Sequence, residues 1–245
     1  MQIVRPDTAT GQGAVLMIHG GGYVLGTNKD ILMKAVELAR ECGVPVFCPG
    51  YRLGPEDPFP AGLDDCHQAW TWLLQNASNH GVDPTKIVIG GYSAGGGLAA
   101  ALAQRIHDDG GTQPAAQLLV YPMLDDTTAN RRELDKPRHR VWSNRSNLFG
   151  WTGYLGHSPG PTTPPYAVPS RRDDLTGLPP AWIGVGTSDL FLDEDRDYAS
   201  RLTTAGVDVT YVEVDGGIHG FNSEPTPIGR AFDESAAAFT RQYVS

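Results

Sequence analysis

Gly91-Tyr92-Ser93-Ala94-Gly95 is the first place in this chain where residue types and spacing suggest chemistry. It follows the apolar run at 86–89 (KIVI) and opens an alanine-rich pattern, so Ser93 falls on a strand-to-helix turn. Such a turn lifts a hydroxyl at the C-terminal edge of a sheet, near the positive end of the next helix, where it can act as a nucleophile. Taken alone, the string also suits a glycine-rich turn with an incidental serine. A second cluster, His19-Gly20-Gly21-Gly22-Tyr23, ends the run AVLMI. Glycines there let backbone N–H groups face a developing oxyanion, and Gly21, Gly22 and Ala94 are the candidate donors. A phosphate cradle would need Lys and then Ser or Thr after the glycines, and none stands there.

A serine nucleophile needs a base, and the base needs an acid to orient it. Of seven histidines, His219 in the glycine-rich stretch 216–221 (GGIHGF) follows the last strand pattern, where a side chain can reach over a sheet edge. His67, His80 and His107 sit on or beside helical patterns, and His139 and His157 have no motif around them. His19 ends a strand and is expected to brace the loop beside it. For the acid, Asp189 follows the run WIGV through Gly-Thr-Ser. Asp193, Glu194 and Asp195 are rivals, although favourable charge in a first helical turn accounts for them. Asp215 lies nearer to His219, but Asp-Gly-Gly is a turn signature of its own. The order Ser93, Asp189, His219 is that of an α/β-hydrolase.

The elements that must carry these residues alternate. Strands are expected at 14–18, 44–48, 86–89, 118–121, 182–185 and 207–214, with a short one allowed at 2–4. Helices are expected at 31–42, 63–75, 94–106, 192–204 and 229–243. This alternation predicts right-handed βαβ units and a largely parallel sheet. The stretch 125–170 breaks it: no convincing strand, a second half rich in Pro and Gly, and the large aromatics Trp142, Phe149, Trp151 and Tyr154 in loosely helical spacing. Those aromatics disfavour a floppy linker and predict a helical cap over the strand ends. A surface excursion with no part in the site is the plainer alternative.

Length and charge exclude much else. At 245 residues the chain fits one α/β domain, taken as 1–245 with the cap insertion 125–170 inside it. A formal charge of −9 makes nucleic acid or an anionic membrane a poor partner. Hydrophobic residues at 40% against 19% charged exclude disorder. Cys42, Cys48 and Cys66 lack CxxC spacing, so neither a disulfide framework nor a zinc site is expected. With no membrane-length apolar run and no signal-like start, a cytoplasmic protein is expected. No cofactor or metal is called for, since HExxH and clustered ligand spacings are absent.

The chain resembles the hormone-sensitive-lipase family of carboxylesterases, also called bacterial family IV. The resemblance lies at His19-Gly20-Gly21-Gly22, at 51–56 (YRLGPE) running into Phe59-Pro60-Ala61, and at the serine turn with its extra Gly96. It continues at Tyr121-Pro122, at Asp174-Leu175 with 177–180 (GLPP), at Asp189 through Asp193-Glu194, and at His219-Gly220-Phe221. These segments run through nearly the whole chain in the family's order. The resemblance implies an α/β-hydrolase fold with a reduced helical cap between sheet strands. It also implies Ser93 as nucleophile, His219 as base, Asp189 as its partner, and Gly21, Gly22 and Ala94 as oxyanion donors. A small-molecule carboxylic ester is the implied substrate, with a preference for short to medium acyl chains. Trp142, Phe149, Trp151, Tyr23 and Phe221 are the expected lining of an apolar acyl or alcohol pocket.

Two departures matter. Tyr92 stands before the serine where the family usually has an acidic or small polar residue, which should alter packing beneath the turn. Only about a dozen residues precede AVLMI, so the N-terminal cap helices are expected to be missing and the site open, unless a homodimer covers it. Lactone, amide or carbonate cleavage would use the same residues. A non-catalytic hormone receptor of this fold would have lost the histidine, whereas His219 is retained.

Overall fold

A computed structural model describes residues 1–135 and 139–245. Its strands are β1 (Gln2–Val4), β2 (Ala14–Ile18), β3 (Val46–Cys48), β4 (Ile87–Tyr92), β5 (Ala116–Val120), β6 (Ala181–Gly186) and β7 (Val209–Val214). They form one sheet in the order β1-β3-β2-β4-β5-β6-β7, parallel throughout except for β1, which pairs antiparallel with β3 at the edge. The helices are α1 (Leu32–Cys42), α2 (Ala61–Asn76), α3 (Ala94–Asp109), α4 (Asn144–Leu155), α5 (Leu192–Thr204) and α6 (Pro227–Val244). Among the described residues, no helix is long and apolar enough to cross a membrane.

Both faces of the sheet are covered, which is why its central strands read as unbroken apolar runs. Along each strand, side chains alternate between two cores. Leu16, Ile18, Ile87, Ile89, Leu119 and Ile183 pack with α2, α3 and α5; Val15, Met17, Val88, Leu118, Val120 and Trp182 pack with α1 and α6. The expected alternation of elements is therefore present, with shifted boundaries. β3 begins at Val46 rather than Val44, because Pro45 has no N–H to give the ladder. β4 runs on through Gly90 and Gly91, poor strand formers by propensity, because they pair with Leu118 and Leu119 of β5.

The insertion 125–170 holds α4 and short 3₁₀ turns at Asp126–Asn130, Arg132–Leu134 and Pro169–Arg171, with no strand among its described residues. Ser143 caps α4 by accepting a hydrogen bond from the Ser146 N–H at 3.2 Å, and Gly156 ends it in a left-handed conformation.

Candidate active site

The strand ends set the site. Ile18 of β2 is level with Gly91 of β4, so the loop after β2 leaves the sheet beside Ser93. Ser93 itself has φ +56° and ψ −122°, an unfavourable conformation for a residue with a Cβ. It is held by its N–H to the Val120 carbonyl (2.9 Å) and by the Met123 and Gly97 N–H groups on its own carbonyl (3.0 and 3.1 Å). The flanking glycines are steric necessities. A methyl carbon on Gly91 would stand 2.2 Å from the Gly95 carbonyl oxygen, and one on Gly95 would stand 2.3 Å from that of Ile18. Tyr92, the departure from the family pattern, packs its ring edge-on against Tyr121 (5.8 Å between centroids) behind the turn.

Gly186 of β6 is level with Val214 of β7, so the loops carrying Asp189 and His219 emerge side by side. Ser93 Oγ lies 2.9 Å from His219 Nε2, and His219 Nδ1 lies 2.8 Å from Asp189 Oδ2. The other oxygen of Asp189 accepts the Phe191 N–H at 3.0 Å, which leaves Oδ2 aimed at the imidazole. Edges of Tyr121 (4.8 Å) and Phe191 (5.2 Å) enclose the His219 ring. The loop behind it is tied down: Tyr121 Oη donates to Asn222 Oδ1 (2.8 Å), Asn222 Nδ2 to Asp233 Oδ1 (2.6 Å), and Lys34 Nζ to Asp233 Oδ2 (2.7 Å). Nothing in the spacing of the sequence pointed to Tyr121 or Asn222 in this role, since the three elements involved are far apart in the chain.

The rival acids have other partners. Asp193 pairs with Arg131 at the surface, and Asp215 accepts from Thr187 Oγ1. Glu194 is buried and accepts from the Leu124 and Asp125 N–H groups and from Thr128 Oγ1, so it ties α5 to the start of the insertion. Burial pushes its carboxyl up, while these hydrogen bonds pull the other way. Asp195 is fully buried, and burial together with the neighbouring Glu194 and Asp189 carboxylates pushes its carboxyl well above the ordinary range. Among the other histidines, His19 stacks on Tyr51 (4.2 Å) and donates Nδ1–H to the Gly20 carbonyl at 2.8 Å. Burial holds it below its usual pKa, so it stays neutral as a brace for the loop.

Gly21, Gly22 and Tyr23 all have positive φ (+119°, +59° and +66°). Ala94 is the first residue of α3, where an N–H has no intrahelical partner. The expected pocket lining is only partly what the structure displays. Tyr23 and Trp151 are buried rather than lining: Tyr23 donates to the Met123 carbonyl at 2.8 Å and stacks on Tyr154 (4.1 Å), with Trp151 tilted against it (5.1 Å). Phe221 packs on Phe232 of α6 (4.7 Å), behind the His219 loop. An aromatic in a polar insertion reads as a pocket wall until the helix face it occupies is known. Phe149, on the outer side of α4, is exposed. Trp142 is half-buried, with its indole against Gly22. Ser93 and His219 are nearly buried, at 8% and 7% exposure, so only a small part of each faces solvent.

A family model described as the alpha/beta hydrolase fold matches residues 15–223. The chain is 36% identical over 215 residues to a carboxylesterase, NlhH, of Mycobacterium tuberculosis, covering 84% of this chain and 66% of that protein. It is 34% identical over 240 residues to an acetyl-hydrolase of Streptomyces hygroscopicus, covering 97% of this chain and 78% of that one. Among solved structures, a bacterial heroin esterase superposes with a TM-score of 0.92 at 36% identity, covering 99% of this chain and 78% of its own. The chain thus spans just under two thirds of the length of the M. tuberculosis relative.

Proposed function

The chain belongs to the alpha/beta hydrolase fold family, and on that premise we propose that it is a serine carboxylic-ester hydrolase working through an acyl-enzyme on Ser93. The observation that carries this reading is the unbroken chain of hydrogen bonds from Ser93 Oγ through His219 to Asp189. Ser93 Oγ attacks the ester carbonyl as its proton passes to His219 Nε2. The carbonyl oxygen, now anionic, takes hydrogen bonds from the N–H groups of Gly21, Gly22 and Ala94. The C–O bond to the alcohol then breaks, and His219 gives its proton to the departing oxygen. Water, deprotonated by the same nitrogen, attacks the acyl carbonyl; the bond from Ser93 Oγ to the acyl carbon then breaks, His219 returns the proton to Oγ, and the acid is released. Asp189 keeps the Nδ1–H tautomer and stabilises the imidazolium formed in each half.

The substrate is a small ester with a short acyl chain. The acetyl-hydrolase among the relatives supports this. Three cysteines without disulfides support a cytoplasmic location. Ser93→Ala tests the mechanism: turnover of p-nitrophenyl acetate should fall on the order of 10⁶-fold, with the thermal transition unchanged. A fluorophosphonate should label the parent protein at Ser93 and leave the variant unlabelled. Substantial turnover by Ser93→Ala would refute the assignment.

A further inference from the structure

The loop that carries Gly21 and Gly22 has little of its own to keep it in place. Its left-handed run includes Tyr23, a residue for which positive φ is strained, so its conformation must be imposed by neighbours. Within the loop, the Val24 and Leu25 N–H groups close on the Gly21 carbonyl (3.1 and 2.9 Å). From outside the insertion, the Gly54 N–H donates to the Tyr23 carbonyl at 3.0 Å and Tyr23 Oη donates to the Met123 carbonyl at 2.8 Å; the remaining close packing comes from the insertion. A methyl carbon on Gly22 would lie 2.0 Å from the Trp142 ring, so the indole rests directly on that residue. One on Gly150 of α4 would lie 2.6 Å from the Gly22 carbonyl oxygen, and one on Gly153 would lie 2.8 Å from Val24 Cγ1. One turn further along α4, Tyr154 stacks on the Tyr23 ring and Trp151 closes on it from the side. Gly150, Gly153 and the aromatic pair therefore put one face of α4 against Gly22, Tyr23 and Val24 in succession.

We propose that α4 with Trp142 is the backing plate of the oxyanion loop: it positions the Gly21 and Gly22 donors, and the insertion sets transition-state stabilisation rather than substrate admission. This deepens the esterase reading and rests on it. The physical ground is that preorganised donors lose their value when displaced by a fraction of an ångström to an ångström, because they act on charge that exists only in the transition state. Gly150 is the sensitive position. Its added methyl group would meet a backbone oxygen that moves only with the loop. At Gly153 the nearest atom is a valine methyl that can turn aside.

The test compares Gly150→Ala, Gly153→Ala and Trp142→Ala on p-nitrophenyl acetate, with the affinity for an aryl trifluoromethyl ketone as second readout. That ketone accepts Ser93 Oγ at its carbonyl carbon, and the resulting hemiketal oxyanion sits among the same donors. Gly150→Ala should lower kcat on the order of 10²-fold, with KM within about threefold and ketone affinity falling in step with kcat/KM. Trp142→Ala should show the same split at about tenfold, and Gly153→Ala should change kcat by less than about threefold. Should Gly150→Ala fail to fold, Trp142→Ala is read by the same split. A raised KM at constant kcat in either variant would make α4 a wall of the substrate pocket and overturn the proposal. So would unchanged kinetics and ketone affinity in both. Fluorophosphonate labelling of the parent protein separates this from the underlying reading: an unlabelled Ser93 sinks the esterase assignment itself, whereas labelled Ser93 with indifferent variants sinks only the role of α4.

Discussion

Three loops meet over Ser93, and they are held by different parts of the molecule. The Asp189 and His219 loops leave adjacent parallel strands, pack backbone on backbone at Gly186 and Gly217, and are tied through Asn222 and Asp233 to α6 and α1. The Gly21–Tyr23 loop leaves an equally buried strand, yet it also packs against Trp142 and α4, which belong to the insertion between β5 and β6. Groups that move protons are thus anchored to the sheet, as is the Ala94 donor at the start of α3, whereas the Gly21 and Gly22 donors also lean on the insertion. Sheet registers are fixed by ladders of hydrogen bonds and by cores on both faces. An insertion held by side-chain packing can vary in sequence more freely, so changes there should reach the rate without disturbing the base.

The strongest test of the sheet-anchored half is its acid. Asp189→Asn should reduce kcat roughly 10⁴-fold, because an amide cannot stabilise the imidazolium and favours the wrong tautomer. Asp193→Asn and Asp215→Asn should stay within about threefold, as their carboxylates serve Arg131 and Thr187 instead. Steady-state kinetics on one ester decides it, and a crippled Asp215→Asn would move the acid to the other loop.

A smaller effect sharpens the division between the halves. Asn222→Ala removes the partner of both Tyr121 Oη and Asp233 without touching the insertion. It should lower kcat about tenfold through a looser His219. Combined with Gly150→Ala, the two losses should multiply, since separately anchored groups act independently. Strong non-additivity in that double variant would show that the proton-moving and oxyanion loops are one unit after all.

The smallest expected effect is on stability. Burial raises the Asp195 carboxyl above its unfolded value, so the acid is most favourable to folding below its unfolded pKa, and that advantage is lost as pH rises through the folded one. Asp195→Asn should therefore raise Tm by a few degrees at neutral and alkaline pH, with the gain shrinking to nothing near pH 4, about the unfolded value. A pH-independent difference between the two melting curves would contradict this account.

Much of the catalytic half was legible in the sequence, because its requirements are local. A serine between small residues, directly after an apolar run and before a helical pattern, can be read from its neighbours alone. The same holds for glycines after a strand and for a histidine in a glycine-rich loop. What the sequence could not decide was which face of α4 turns inward. Trp142, Phe149 and Trp151 look alike in a string, but they ended as a contact on Gly22, an exposed ring and a buried brace. The pairing of Tyr121 with Asn222 gave no signal because it joins residues a hundred positions apart. The order of the chain determines periodicity, turn chemistry and the places where strands end. Only tertiary packing decides which ring meets which backbone, because that depends on the rotation of one helix against a loop from another strand of the sheet.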